Sequence, residues 1–209
     1  MRIAIIGAGS VGSTLGSAWA ARGHKVRFGV NDPTDGKVEA VLRSAPGARA
    51  DNVRAAAQFG EVVVLAVPFD AVETVLTAAG DLKGKIVIDC MNPLTVDFRE
   101  LSVGFSSSGG EQVAALAKGA SVFKTLNHTG FANMAEPVFD SHRSVMFVCG
   151  DDEARKPVVI ELVAELGFEV VDAGALKIAR LLEPLAMLWI HLALSQGLGR
   201  DFAFALLRR

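Results

Sequence analysis

The residues with the clearest chemical potential form a glycine-rich segment near the start of the chain. Gly7, Gly9 and Gly12 follow the GxGxxG pattern, directly after an apolar run and directly before a segment of helical period. The first glycine permits a tight turn, the second leaves room for a pyrophosphate, and the third lets the helix pack closely on the strand. The phosphates would lie on the helix N-terminus, where the N–H groups of Ser10 and Val11 favour anions. The segment therefore predicts a dinucleotide-binding turn.

The end of the second predicted strand should lie near the adenosine ribose. Val30 stands where NAD enzymes often carry an acidic residue, and Asn31 where NADP enzymes often carry arginine. Neither marker is present, so NADP and NAD both stay open as the cofactor. Asp32 is one position late for a ribose contact and is interpreted as a turn residue ahead of Pro33.

Two proline dipeptides mark the ends of two further strands. Val67-Pro68 ends a buried strand, and Asn92-Pro93 follows another. Because ligands bind at the carboxyl edge of a parallel sheet, we expect both dipeptides to flank the nicotinamide ribose and ring. Strand termination alone would also explain Pro68. Asp89, which precedes Asn92 at the same edge, is interpreted as structural.

His128 is the histidine in a plausible cleft position, because it follows a predicted strand and precedes a polar and aromatic segment. It is our candidate catalytic residue, although a hydrogen-bonded structural histidine would have the same sequence context. The chain has no tyrosine, which excludes a phenolic acid such as that of many short-chain dehydrogenases. No metal-ligand spacing and no catalytic triad order is present, so we expect no metal.

Short runs rich in Val and Ile alternate with longer helical segments, which is typical of a parallel sheet with crossover helices. The fold class is therefore predicted as α/β, a Rossmann-type doubly wound parallel sheet with a small C-terminal helical unit. Residues 1–174 would form the NAD(P)-binding domain and residues 175–209 a helical dimerisation segment. The predicted strands are Arg2–Ile6, Lys25–Val30, Val62–Val67, Lys85–Asp89, Ser121–Leu126, Ser144–Cys149 and Phe168–Val171.

The predicted helices begin with Ser10–Ala21, which has Gly12, Leu15, Gly16 and Trp19 on one face. Asp151 is the expected N-cap of a helix that follows Cys149. From Ala175 onward the chain is predicted to be almost all helical, with a break at Gly197 and Gly199. Two shorter helices are predicted at Asp70–Ala79 and Glu111–Lys118.

The composition sets limits on partners and location. The 21 Lys and Arg stand against 23 Asp and Glu, so no nucleic acid or anionic membrane is expected as a partner. Cys90 and Cys149 lack the number and spacing of a disulfide or zinc site, and we expect both to be reduced. The apolar run Leu185–Leu194 falls short of the roughly 20 residues that cross a bilayer. We expect a cytoplasmic protein.

The motifs taken together resemble a known family, the coenzyme F420-dependent NADP oxidoreductases. The resemblance covers nearly the whole chain, and its later motifs, in this order, are fairly specific. A more distant likeness is to the cytosolic domain of the STEAP metalloreductases. The segments that carry the resemblance are GAGSVG with RGHKV, the Val67-Pro68 pair, HTGFAN at 128–133, VCGDDE at 148–153, DAG at 172–174 and RLLE at 180–183.

This resemblance implies direct hydride transfer between a nicotinamide and a deazaflavin or flavin ring stacked on it. Such chemistry needs positioning and water exclusion more than an acid or a base. The family's second ring lies beside the segment that matches His128 to Phe131, so His128 would be a wall of the pocket or a hydrogen-bond donor to that ring. The family's terminal helices pair two subunits, and an apolar tail with Phe202 and Phe204 fits a homodimer. The other partner that the resemblance implies is a small-molecule redox acceptor.

Two other functions remain open at this point. A reductase of small carbonyl or imine substrates would share the cofactor domain, but such enzymes usually need a larger helical domain than the short segment after Arg180 provides. A module that senses the redox state of a dinucleotide without turnover would also share it.

Overall fold

The computed structural model describes residues 1–209 and contains one large sheet with helices on both faces. The sheet strands are β1 Arg2–Ile6, β2 Lys25–Val30, β3 Arg49–Asn52, β4 Val62–Leu65, β5 Ile86–Asp89, β6 Ser121–Lys124, β9 Val145–Gly150 and β10 Glu169–Gly174, while β7 Val138–Phe139 and β8 His142–Arg143 form a separate hairpin. The spatial order of the sheet is β10-β9-β6-β5-β4-β1-β2-β3. All pairs among β1 to β6 are parallel, whereas β6 and β9 are antiparallel.

Most of the helices connect successive strands, and the last helix follows the last strand. Single turns of 3-10 helix at Phe69–Ala71 and Leu176–Ile178 precede two of them. The helices are α1 Ser10–Ala21, α2 Gly36–Ser44, α3 Val53–Phe59, α4 Val72–Ala79, α5 Gly109–Leu116, α6 Phe131–Ala135, α7 Lys156–Glu165 and α8 Ala179–Ile190, which continues as a π-helical turn at His191–Ser195.

The order 3-2-1-4-5-6 of the first six strands is the doubly wound Rossmann arrangement, and it confirms the predicted fold class. Alternation along β1 explains why helices cover both faces. Ile3 and Ile5 belong to one buried cluster with Trp19, while Ala4 and Ile6 belong to the cluster on the opposite face. Both faces of the strand are therefore apolar, as expected in a parallel sheet.

All seven predicted strands are present, and their ends differ from the prediction by a few residues at most. The sequence patterns did not predict α2, β3, α3, α6 or the hairpin of β7 and β8. The strand β3 lies at the edge of the sheet and has no fully buried residue, so its sequence lacks the apolar run of a central strand. The helix α2 begins after a polar segment that resembles a loop, with the Asp35 carboxylate accepting from Lys37 N at 2.8 Å.

Asp151 is not the N-cap of the helix that follows Cys149, so that prediction was wrong. Its carboxylate accepts a hydrogen bond from Leu176 N at 2.8 Å and so joins the end of β9 to the turn before α8. The neighbouring Asp152 accepts from Arg155 N, and α7 begins at Lys156. Asp151 therefore holds the turn before α8, and Asp152 holds the start of α7.

The helical segment Leu176–Ser195 is longer than the apolar run seen in the sequence. It spans 20 residues with a mean hydropathy of 1.4, long and apolar enough to cross a membrane by length and composition alone, and 33% of it is buried inside the molecule. Glu183 within it is buried and forms an ion pair with Lys124 of β6. This contact fixes the segment to the C-terminal end of β6, an interior strand of the sheet.

Residues 196–209 contain no helix or strand, so the prediction of an almost entirely helical tail was wrong beyond Ser195. The tail returns to the same molecule, where Phe202 stacks on Trp189 with ring centroids 5.3 Å apart. Phe204 O accepts a hydrogen bond from Val145 N at 2.9 Å. Phe202 and Phe204 thus make contacts within their own subunit. The division of the chain at residue 174 stays a prediction.

Candidate functional site

The glycine turn between β1 and α1 has the geometry of a phosphate cradle. Gly7 has a φ of +107°, and a Cβ there would collide with the carbonyl oxygen of Ala66. A Cβ on Gly12 would collide with the carbonyl oxygen of Gly7, whereas a Cβ on Gly9 would meet nothing within 4 Å. Gly7 and Gly12 are therefore required by the fold, and the space in front of Gly9 is left for a ligand.

The N-terminus of α1 faces the same space. Its N-cap is Gly9, no side chain caps it, and its first turn carries no acidic residue. The first N–H groups of a helix have no partner within the helix, and they favour an anion. Ser10 and Val11 open this helix, so the predicted cofactor-binding residues 7–12 fit a pyrophosphate.

The adenosine end of the site carries no cation at the two marker positions. Val30 is the last residue of β2, and Asn31 follows it on the surface. Asp32 accepts hydrogen bonds from both Thr34 N at 2.8 Å and Thr34 Oγ1 at 2.6 Å, and these bonds lower the pKa of its carboxyl group. The Asp32 carboxylate thus closes its own turn, in agreement with the turn interpretation.

The predicted nicotinamide residues lie after β4 and β5, two neighbouring strands. Val67 is partly buried, and Pro68 is the N-cap of the 3-10 turn Phe69–Ala71. Asn92 is partly buried and Pro93 is buried, just beyond the end of β5. Parallel strands end at the same edge, so these dipeptides share the carboxyl edge of the sheet with the glycine turn.

A pair of asparagines joins the loops that follow β5 and β6. Asn92 Nδ2 donates to the carbonyl oxygen of Asn127 at 2.7 Å, and Asn127 Nδ2 donates to Asn92 Oδ1 at 3.0 Å. Asn127 Nδ2 also donates to the carbonyl oxygen of Leu182 in α8 at 3.1 Å. Asn127 Oδ1 is buried and has no partner. Asn127 was not among the predicted site residues.

His128 is 2% exposed and lies in the loop that follows β6. Its Nε2 is 3.2 Å from the carbonyl oxygen of Val145, and because a carbonyl only accepts, Nε2 carries the proton. Burial lowers the pKa of His128 to about 4, so the ring is neutral near pH 7 and Nδ1, which has no partner, is an acceptor. The remaining nitrogen is an acceptor near pH 7, so it does not supply the donor that the resemblance implied, and the role of the ring as a wall stays a prediction.

A buried ion cluster lies behind these loops. Lys124 Nζ is 2.9 Å from Asp89 Oδ2 and 3.0 Å from Glu183 Oε1, and all three side chains are at most 1% exposed. Lys124 also donates to the carbonyl oxygen of Met91. Burial alone would lower the pKa of Lys124, but the two carboxylates outweigh it and raise the pKa. The ammonium group is therefore charged and fully occupied.

The second carboxylate of this cluster is balanced by a helix. Gly109 N and Gly110 N, at the start of α5, donate to Glu183 Oε2 and Oε1 at 2.9 and 3.0 Å. A Cβ on Gly109 would lie 3.1 Å from Glu183 Oε1, so glycine allows the close approach. The positive end of the helix dipole offsets the excess negative charge of two carboxylates on one ammonium.

The cysteines offer no nucleophile. Burial raises the pKa of the Cys149 thiol to about 12, and burial together with the Asp89 charge raises that of Cys90 further. Both thiols are free and buried. Thiolate chemistry needs a lowered pKa, so these residues stay protonated and structural, as predicted.

The motifs that carry the family resemblance after residue 148 have structural roles. Asp172 accepts from Gly174 N at 2.8 Å and lies 3.2 Å from Lys156. Arg180 forms a two-pronged ion pair with Glu111, at 2.7 and 2.8 Å. These residues hold β10, α7 and α8 in place and contribute no group to the glycine turn.

Sequence reasoning missed Lys124, Asn127 and Glu183. A signal existed for two of them, because Lys124 stands in an otherwise apolar strand and Glu183 in an otherwise apolar helix. A buried charge requires a partner of opposite charge. Each of these two residues therefore predicts that such a partner exists, but not which residue it is.

Comparison with known proteins shows the family of this chain. Residues 2–93 match the family model described as NADP oxidoreductase coenzyme F420-dependent. The chain is 30% identical over 156 residues to the F420-dependent NADP reductase of Methanocaldococcus jannaschii, covering 69% of this chain and 68% of that protein. It is 28% identical over 187 residues to the metalloreductase STEAP3 of Rattus norvegicus, covering 89% of this chain but 36% of that protein.

A solved structure extends the likeness to the C-terminal segment. The crystal structure of a proposed F420-dependent NADP reductase from Arthrobacter sp. FB24 superposes with a TM-score of 0.90 at 33% identity. It covers 100% of both chains, so the helical segment after β10 is shared as well as the sheet.

Proposed function

Since the chain belongs to the coenzyme F420-dependent NADP oxidoreductase family, and is thus an NADP-dependent oxidoreductase, we propose that it transfers a hydride between NADP(H) and a deazaflavin or flavin ring. One observation carries this proposal. The carboxyl edge combines a phosphate cradle with a histidine that is neutral near pH 7 and with a buried ion cluster whose Lys124 ammonium is fully occupied within the protein. Direct hydride transfer between two rings is the chemistry that such an edge serves.

The residues of the site divide the work of binding and orientation. Gly9 and the N-terminus of α1 would hold the pyrophosphate, and Val67-Pro68 and Asn92-Pro93 would flank the nicotinamide. When bound, the nicotinamide supplies or receives the hydride at its C4 position. The chain contributes alignment and exclusion of water, which by themselves lower the barrier to transfer.

We place the acceptor ring beside His128 and Phe131. The neutral His128 ring packs on Phe147 with centroids 5.4 Å apart, and Phe131 is 38% exposed. His128 Nδ1 is buried, so the ring would act as part of the pocket wall. His128 would therefore position the acceptor without donating or removing a proton during hydride transfer.

Steady-state oxidation of NADPH and NADH with a deazaflavin, riboflavin, FMN and FAD tests the proposal. Turnover with one of these acceptors is expected, and with NADPH deuterated at C4 the label should reach C5 of the deazaflavin from one face of the nicotinamide. With the deazaflavin, whose reduced C5 holds the hydride in a non-exchanging C–H bond, label in solvent would contradict direct transfer. With a flavin the label sits on exchangeable N5, so there only stereospecific loss from the donor counts. Turnover only with carbonyl or imine substrates would favour the small-substrate reductase, and dinucleotide binding without any turnover would favour a sensor.

We also propose a homodimer formed through the exposed face of α8 and its π-helical extension. Leu181, Leu188 and Leu194 are 66%, 48% and 53% exposed there. A groove of about 1200 Å³ lies between Leu181 and Phe105, and none of the predicted site residues lines it. A second copy of the chain would cover this apolar face, as the family resemblance implies.

The oligomeric state in solution tests this interface. Wild-type protein should elute and scatter light as a dimer, and Leu181→Glu combined with Leu188→Glu should give a folded monomer. Leu116→Glu, at a residue 42% exposed on α5, is the matched control and should stay dimeric. A monomeric wild type, or a dimer in the double variant, would overturn the proposal.

A further inference from the structure

We infer that the C-terminal tail, residues 196–209, is a strap that positions the acceptor wall formed by His128 and α6 and takes no part in dinucleotide binding. The inference rests on the proposed placement of the acceptor ring beside His128 and Phe131. The tail has no helix or strand of its own, so its course is set by the few contacts that it makes. Its two phenylalanine carbonyls, at 202 and 204, bond to the segments that carry or hold the acceptor wall.

The first of these carbonyls holds α6, the helix that begins with Phe131. A helix of five residues is too short to be stable by itself, so α6 depends on contacts from outside it. Asn133 Nδ2, on α6, donates to the carbonyl oxygen of Phe202 at 2.7 Å, and Trp189 Nε1, on α8, donates to the same oxygen at 2.9 Å. A carbonyl oxygen has two lone pairs, and here both are used. One tail carbonyl therefore ties α6 to α8.

Aromatic packing holds that carbonyl in place. Phe202 stacks on Trp189 with ring centroids 5.3 Å apart, and Phe204 meets Phe202 edge-on at 6.4 Å. Aromatic pairs in these geometries attract each other beyond the burial of their apolar area. A Cβ on Gly130, the N-cap of α6, would lie 2.9 Å from the Trp189 ring, so the start of α6 packs on the same ring. The tail, α6 and α8 thus meet at one aromatic cluster.

The second carbonyl holds the residue that orients His128. The strand β6 pairs with β9 only at Cys149 and Gly150, so Val145, at the opposite end of β9, has no strand beside it on that side. Val145 N donates to the carbonyl oxygen of Phe204 at 2.9 Å, and Val145 O accepts from His128 Nε2 at 3.2 Å. The tail therefore completes the open edge of β9 at the same residue that fixes the His128 ring.

The dinucleotide side of the site is held independently of the tail. The helix α6 packs against α1, which places the acceptor wall beside the helix that faces the phosphate cradle. However, α1 is itself anchored in the sheet core by Leu15 and Trp19, which are fully buried. Release of the tail should therefore disturb the acceptor wall and leave the phosphate cradle in place.

Amide hydrogen exchange of the full chain tests the strap without any ligand. Phe202→Ala removes the stacked ring, and the amides of Val145 and Met134 should then exchange at least about tenfold faster, because local opening becomes easier. The amide of Ser13, which bonds to Gly9 O in α1, should exchange as in wild type. The matched control is Leu207→Ala, at a tail residue 78% exposed, and it should match wild type at all three amides.

Steady-state kinetics separates positioning of the acceptor from general stabilisation. The substrates are NADPH and the deazaflavin or flavin that wild-type protein turns over fastest. Phe202→Ala should raise KM for that acceptor about 3- to 30-fold, because fewer molecules hold a formed pocket, while KM for NADPH stays within about twofold. Asn133→Leu removes the donor on the other side of the contact at similar size and should act alike. The double variant should exceed the larger single effect by less than about twofold, since both substitutions release the same strap.

Unchanged exchange at Val145 and Met134 in Phe202→Ala would overturn the inference, and so would equal acceleration at Ser13. Equal increases in the two KM values, or multiplying effects in the double variant, would also overturn it. Absence of turnover in wild-type protein with every deazaflavin and flavin would instead contradict the proposed function. Since hydrogen exchange needs no acceptor, the two failures are distinguishable.

Discussion

Lys124 Nζ lies 3.0 Å from Glu183 Oε1, and the two side chains are 0% and 1% exposed. This contact joins the central sheet to the C-terminal helix α8 at the edge where the nicotinamide is proposed to bind. Leu182, the neighbour of Glu183, accepts the hydrogen bond from Asn127. The same helix turn therefore anchors the fold and orients the Asn127 amide.

Lys124→Met should destabilise the fold by about 3 to 5 kcal/mol, because it leaves two buried carboxylates without their counter-ion. Urea unfolding at pH 7 would measure the loss. Lys118→Met removes an exposed lysine that follows α5 and should change stability by less than about 0.5 kcal/mol. Equal effects of the two substitutions would show that the buried cluster does not stabilise the fold.

Gly9→Val should abolish dinucleotide binding while the protein stays folded, since its side chain enters the space left for the pyrophosphate. Calorimetric titration with NADP⁺ and a thermal melt would measure both properties. Gly12→Ala provides the contrast, because a Cβ there collides with the Gly7 carbonyl and should lower stability by about 1 to 3 kcal/mol. Normal affinity in Gly9→Val would refute the phosphate position.

Asn31→Arg should strengthen NADP⁺ binding by about 1 to 3 kcal/mol, because it adds a guanidinium where β2 ends and the 2'-phosphate is expected. NAD⁺ lacks that phosphate, so its affinity should stay nearly constant and serves as the internal control. Titration with each dinucleotide measures the difference. An unchanged NADP⁺ affinity would place the 2'-phosphate elsewhere, near Lys37 or Arg43.

His128 should make stability fall in acid. Burial lowers its pKa from 6.5 to about 4 in the folded state, so its contribution is complete above pH 6.5 and is lost as the pH falls toward 4. Between pH 7 and pH 4.5 this loss should be about 2 kcal/mol. Urea unfolding at the two pH values should show a smaller decrease for His128→Gln than for wild type. The exposed His142→Gln should behave as wild type, and equal slopes for all three would contradict the buried neutral ring.

The sequence by itself determined the Rossmann core and the phosphate-binding turn. Both depend on local patterns: the spacing of Gly7, Gly9 and Gly12, and the short apolar runs that become β1, β2 and β4. Such patterns report the period of one element and the backbone freedom of one residue, which do not depend on distant parts of the chain. The edge strand β3 escaped detection because few of its side chains are buried.

Only the tertiary structure decided the chemistry of the carboxyl edge. The amide of Asn127 is oriented by a carbonyl 55 positions away in the sequence, and Glu183 accepts a hydrogen bond from the N–H of Gly109, 74 positions away. The tautomer of His128 depends on Val145 across the β6–β9 junction. Hydrogen-bond partners at such separations are chosen by the packing of whole elements, and no local pattern encodes which side chains meet.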